Sequence, residues 1–147
     1  MRFKLKNVPI PEAHIIGIIL GLILHLIFRA KLFYLAWIGC LAGWPLILLG
    51  TGLSIWATIE AGETDISSLQ ELVTSGPYAY SRNPMYMGWT LIYLGITFVI
   101  NSIWMFVLFP LVMISIHFIE IPKEERLLEQ KFGSKYRGYQ NRVRKYL

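Results

Sequence analysis

Four apolar stretches separated by polar punctuation set the pattern of this chain. Ala13 to Phe28 is apolar apart from His14 and His25. Sixteen residues of helix rise ~24 Å, close to the ~30 Å of a hydrocarbon core, and His25 and Arg29 sit where side chains can snorkel to the interface. Leu32 to Ile59 carries no charge at all, with Pro45 inside it and Trp37 and Trp56 spaced as two interfacial anchors. Between Arg82 and Glu120, His117 is the lone ionisable side chain besides tyrosine. A single helix of 37 residues would reach ~55 Å, so this stretch is expected to fold back at Asn101-Ser102 into two helices, 84–100 and 103–119. The remaining blocks are polar: a basic arm over 1–12, a loop over 60–82, and a tail from Glu120. In the tail Leu128, Phe132, Tyr136, Tyr139 and Val143 recur every three or four residues, an apolar stripe on short helices. Gly133 interrupts the stripe and Ser134 is the expected cap of its second helix. In the loop, Ile66 to Val73 reads as a short interfacial helix with Asp65 as its cap.

The expectation is an all-α integral membrane protein: about four transmembrane helices, the last two a hairpin, plus short cytoplasmic C-terminal helices. Composition agrees, since 55% of the 147 residues are hydrophobic and 16% charged. The length suits one domain, with N-terminal spans over 1–60 and a polar-lipped core over 61–147. An uncleaved first span is expected, because no small-residue cleavage site follows the basic start. Eleven of the fourteen Lys and Arg residues lie in the two terminal segments. An even span count puts both termini on one side, and the positive-inside rule makes it the cytoplasm. The net charge of +5 then faces lipid headgroups and gives no reason to invoke nucleic acid. Cys40 has no partner for a disulfide.

This topology brings two polar clusters to one membrane face. The first is Leu72–Gly88, LVTSGPYAYSRNPMYMG; the second runs from His117 to Glu125. Folding back at Asn101-Ser102 makes Asn83–Tyr86 and His117–Glu125 neighbours. His117, Glu120 and Glu124 fall at i, i+3 and i+7, one helical face if Pro122 keeps the phase. That face is either an acid–base or cation site or a polar rim meeting headgroups. Glu124 and Glu125 hold an ammonium or ribose hydroxyls, or simply solvate the first turn after Pro122. Arg82 binds a carboxylate or phosphate in bidentate fashion, or anchors the start of a span. Tyr78, Tyr80 and Tyr86 form a wall for a purine or sulfonium, or an interfacial belt. No metal site is expected: one nearby histidine and hard carboxylates make a poor ligand set.

The succession LVTSGPYAYSRNPMYMG, apolar hairpin, EERLLEQKFGSKYRGYQNRV resembles the isoprenylcysteine carboxyl methyltransferase and phospholipid methyltransferase family over residues 63–147. The resemblance implies a membrane methyltransferase that uses S-adenosyl-L-methionine without a Rossmann domain. It places Leu72, Val73, Tyr78, Asn83, Pro84, Tyr86 and Glu124 at the cofactor, and Glu63 where prenylcysteine enzymes carry glutamine. Asn83 replaces a histidine of the motif. Glu120 replaces an arginine thought to meet the substrate carboxylate, so a carboxylate acceptor is not expected. A lipophilic, membrane-soluble amine, thiol or hydroxyl fits better, with Glu120 or His117 as general base and Arg82 as a third catalytic candidate. Two other classes remain: a membrane reductase using a nicotinamide cofactor, against which the acidic 60–82 loop speaks, and a non-catalytic lipid-binding protein.

Overall fold

The structure, a computed structural model, describes residues 11–62 and 70–146. Helix α1 spans Glu12–Ile27, α2 Ala36–Ala61, α3 Pro84–Ile100, α4 Ile103–Ser115, α5 Ile121–Phe132 and α6 Ser134–Gln140. A short 3₁₀ turn, Gly76–Ala79, precedes α3, and a π turn, Ile116–Glu120, joins α4 to α5. No strand forms among the described residues beyond an isolated bridge between Lys31 and Ser102.

Two helices are long and apolar enough to cross a membrane: α2, and the rod that α4, the π turn and α5 form together over Ile103–Phe132. Helices α1 and α3 are apolar but shorter, at 16 and 17 residues. Trp37, Leu41, Trp44, Leu48, Leu49 and Trp56 of α2 point outward and exposed. In water such a face would be a liability; in lipid it is the solvated surface.

Helices in lipid gain little from burying apolar area against one another, so close backbone approach has to hold them. Glycines permit it along α2 and α3. A Cβ on Gly43 would lie 2.6 Å from the Gly95 carbonyl oxygen, and one on Gly95 would lie 2.7 Å from that of Gly43. Gly50 and Gly88 repeat the arrangement a little further along, at 2.5 and 2.8 Å. Helix α1 lies along α4, where Gly17 and Gly21 admit Val112 and Met105. The small core gathers Ala13, Tyr86, Tyr93, Met105, Val112, Ile116 and Ile121.

The fold-back falls at Asn101-Ser102. Asn101 adopts a left-handed conformation, φ 57°, which asparagine tolerates better than most residues. Its side chain accepts from the Phe33 N–H at 2.6 Å and donates to the Phe33 carbonyl at 2.9 Å, tying this turn to the α1–α2 connection. Ser102 caps α4 by accepting from the Met105 N–H at 3.4 Å.

Within the uncharged stretch 32–59 the helix begins at Ala36, and it runs on to Ala61. Three sequence expectations shift. Residues 70–75 are irregular, so no helix reaches Val73, and residues 66–69 of that expected element lie outside the described residues. Ser134 does not cap α6; Gly133, at φ 52°, makes the break between α5 and α6 by itself. The first tail helix is not a separate element. Pro122 cannot donate to the preceding turn, and the π turn just before it, closed by the Ile121 N–H on the Ile116 carbonyl, absorbs that gap without ending the helix.

Candidate functional site

The two polar clusters meet where α3 starts and α5 starts. Pro84 occupies the first turn of α3, where its missing N–H costs nothing. One turn on, Tyr86 is buried, and its hydroxyl donates to Glu124 Oε1 at 2.7 Å. Glu120, one turn before Glu124 on the rod, accepts from the Ala13 N–H at 2.9 Å. It thereby holds the positive N-terminus of α1 against the site. Glu120 also bears on the Tyr86 hydroxyl. Neither Glu120 nor Glu124 has an ion-pair partner among the described residues, whose three ion pairs use Glu125 twice and Glu129 once. The two half-buried carboxyls lie one helical turn apart, and the Lys123 ammonium bears on Glu124.

Tyr78 stands beside this pair in the 3₁₀ turn. Burial, then Glu124 and then Tyr139 push its hydroxyl far above the ordinary range, so it serves only as a neutral donor. Tyr139 of α6 donates to the Tyr78 carbonyl at 2.7 Å, docking the tail on the turn. Leu72 lines a cleft of about 480 Å³, in which Glu71, Leu72 and Thr74 face Phe132, Lys135 and Arg142. Val73 is half-buried next to it. Glu63 lies outside the described residues.

Three of the sequence candidates are engaged elsewhere. The Arg82 guanidinium lies 2.9 Å from Glu125 Oε1, and both side chains are largely buried, at 13% and 19% exposure. The contact is a close ion pair rather than an aligned hydrogen bond. Asn83 is buried, and its amide donates to the Lys145 carbonyl at 3.0 Å. His117 lies in the same π turn as Glu120, and its Nδ1 sits 3.0 Å from the Tyr146 hydroxyl.

The family resemblance implies that the tail shares in this pocket, but sequence reasoning named none of the contacts it makes. Ser81 donates to the Lys145 carbonyl at 3.2 Å, the Arg82 N–H to the Arg144 carbonyl at 3.0 Å, and Lys145 approaches Glu125 to 3.6 Å. Tyr136 is buried against Arg82 and Glu125. The apolar stripe flagged Tyr136 and Tyr139; nothing in the sequence flagged Tyr146. Among the described residues no cluster of three metal-ligating side chains occurs.

A protein-S-isoprenylcysteine O-methyltransferase of Schizosaccharomyces pombe is 32% identical to this chain over 104 residues, which cover 66% of this chain and 44% of that protein. The chain therefore spans less than half the length of that curated relative. No solved structure matches it. The family model described as phospholipid methyltransferase matches residues 38–135, taking in α2, α3, the π turn and both carboxylates. That range is well over half of the sequence, and the chain accordingly belongs to the phospholipid methyltransferase family.

Proposed function

We propose that this protein transfers a methyl group from S-adenosyl-L-methionine to a lipophilic acceptor that reaches the site from the bilayer. Family membership supports methyl transfer. The single structural observation that carries the reading is the unpaired Glu120–Glu124 couple beside Tyr78 and Tyr86. A sulfonium cofactor is cationic and carries an ammonium, so its chemistry fits this donor set. At an effective dielectric near 20, a charge ~4 Å from one carboxylate gains about 4 kcal/mol. The cleft at Leu72 has the volume of a small-molecule pocket. When bound, the cofactor supplies an electrophilic methyl group.

The protein's own contribution is placement. Tyr86 fixes the Glu124 carboxylate, and Glu124 holds the ammonium or ribose end. Leu72, Val73 and Tyr78 flank the adenosyl part, with Glu63, Asn83 and Pro84 completing the binding set by position in the family motif. Such orientation is worth roughly 7–11 kcal/mol of barrier when complete. The relative's name points to O-methylation of a prenylcysteine. In this chain a carboxylate acceptor would meet the acidic side chain of Glu120, so an amine, thiol or hydroxyl fits better. The acceptor's proton leaves towards the Glu120–His117 end of the rod, and Arg82 stiffens the approach through Glu125. The membrane reading completes the picture: four spans, α1 to α4, with both termini on the cytoplasmic side and the last two spans forming a hairpin.

The test is calorimetric titration of detergent-purified protein with S-adenosylhomocysteine, beside Glu124→Gln. Saturable binding that weakens about tenfold or more in the variant is expected. A folded wild-type protein that shows no binding would remove the proposal.

A further inference from the structure

Three consecutive tail residues are fixed at five points. Arg144 and Lys145 present main-chain carbonyls to donors on Arg82, Ser81 and Asn83. The Lys145 side chain pairs with Glu125. Tyr146 lies nearly flat on His117, ring centroids 5.8 Å apart and planes 25° from parallel. It also packs on the core cluster that contains Tyr86, Ile116 and Ile121. Its hydroxyl is 3.0 Å from His117 Nδ1.

The sense of that contact turns on the imidazole tautomer. Burial and then the neighbouring Glu125 hold the phenol above its usual range, so it keeps a proton that it can donate. In the Nε2–H tautomer Tyr146 donates and Nδ1 accepts. That neutral ring has no free lone pair to offer a substrate, and any proton it receives arrives through the phenol.

Resting on the methyltransferase reading, we infer that Tyr146 is a catalytic residue that takes the acceptor's proton and that His117 is its positioning partner and proton store. The acceptor's nitrogen, sulfur or oxygen forms its bond to the methyl carbon as the methyl–sulfur bond breaks, and that electron pair stays on sulfur. The acceptor's proton moves to Tyr146 Oη while the Tyr146 proton moves to His117 Nδ1. The imidazolium then releases a proton to water. The clamps from Ser81, Asn83 and Glu125 hold the phenol in line, which gives Asn83 a role that needs no titration.

The first test needs no acceptor. Two-bond ¹H–¹⁵N spectra of histidine-labelled protein in detergent report each ring's tautomer, with His14→Asn and His25→Asn assigning the His117 signals. The Nε2–H form is expected in the wild type with its Nδ1 resonance shifted by hydrogen bonding, and Tyr146→Phe is expected to lose that shift while keeping the ring stack. A predominant Nδ1–H form in the wild type would overturn the relay. The second test follows label from S-adenosylmethionine into phosphatidylethanolamine vesicles and into micellar dodecanethiol. With either acceptor Tyr146→Phe should bind S-adenosylhomocysteine within about twofold of wild type yet transfer roughly 100-fold more slowly. The loss should shrink as rising pH deprotonates the acceptor in solution, a rescue that damage to packing would not show. An undiminished rate in Tyr146→Phe would overturn the inference. A wild type that binds no S-adenosylhomocysteine strikes the methyltransferase reading itself, whereas the tautomer result still reports on the pair.

Discussion

The contact between Tyr86 and Glu124 permits a quantitative test by a double-mutant cycle. Tyr86→Phe leaves a ring of the same shape in a site that is 8% exposed, so packing is retained and one hydroxyl is lost. That hydroxyl donates to a carboxylate at 2.7 Å. A hydrogen bond to a charged group contributes about 1.5–3 kcal/mol, and the half-buried setting of Glu124 argues for the upper part of that range. Tyr80→Phe, at 69% exposure, is the control and should change stability by less than about 0.5 kcal/mol. Glu124→Gln and the double variant complete the cycle, with unfolding followed by circular dichroism in mixed dodecylsulfate micelles. A coupling energy of at least about 1 kcal/mol is expected, because the partners touch. Additivity within about 0.3–0.5 kcal/mol is the behaviour of independent sites, and finding it would refute the contact. The same four proteins titrated with S-adenosylhomocysteine extend the test to function. Tyr86→Phe should weaken binding about tenfold through a misdirected carboxylate, and should weaken it no further once Glu124 is already glutamine.

Two further outcomes follow from the backbone. Gly95→Ala should destabilise the protein by about 1–3 kcal/mol in thermal unfolding, because the new methyl meets main-chain atoms of α2 at 2.7 and 2.9 Å; Gly52→Ala, with nothing within 4 Å, should stabilise it by up to about 1 kcal/mol. Asn101→Ala should cost more than Asn101→Gly in the same measurement, since both lose the paired bonds to Phe33 but only alanine is strained at φ 57°.

The helix α3 could be read from the sequence to the residue because both its ends are marked, by Pro84 and by Asn101. The meeting of Tyr86 with Glu124 followed from the fold-back alone, as each lies one turn inside its own helix. The start of α2 could not be located, because Leu32–Leu35 is as apolar as the helix it precedes and hydropathy cannot place a turn within an apolar run. The pairing of Arg82 with Glu125 was hidden for another reason. Helical spacing shows which residues share a face of one element, but not which of two adjacent glutamates a distant arginine selects. The tail strap had no signature, since main-chain carbonyls do the binding and any residue supplies one. The α1 N-terminus resting on Glu120 is likewise a backbone contact.

The π turn at Ile116–Glu120 has one more implication. It makes the rod from Ile103 to Phe132 behave like a shaft with a fixed angular offset between its two halves. One residue of α-helix corresponds to about 100° of rotation. Forcing regular α winding there with the same number of residues would swing Glu124 and Glu125 about a quarter-turn away from Tyr86 and Arg82, while leaving the apolar half of the shaft seated against α1. The winding of this segment is therefore constrained independently of its composition. Exchanging Phe118 or Ile119 for another apolar residue should be tolerated on their exposed faces, but the wide turn between Val112 and Glu124 has no such freedom.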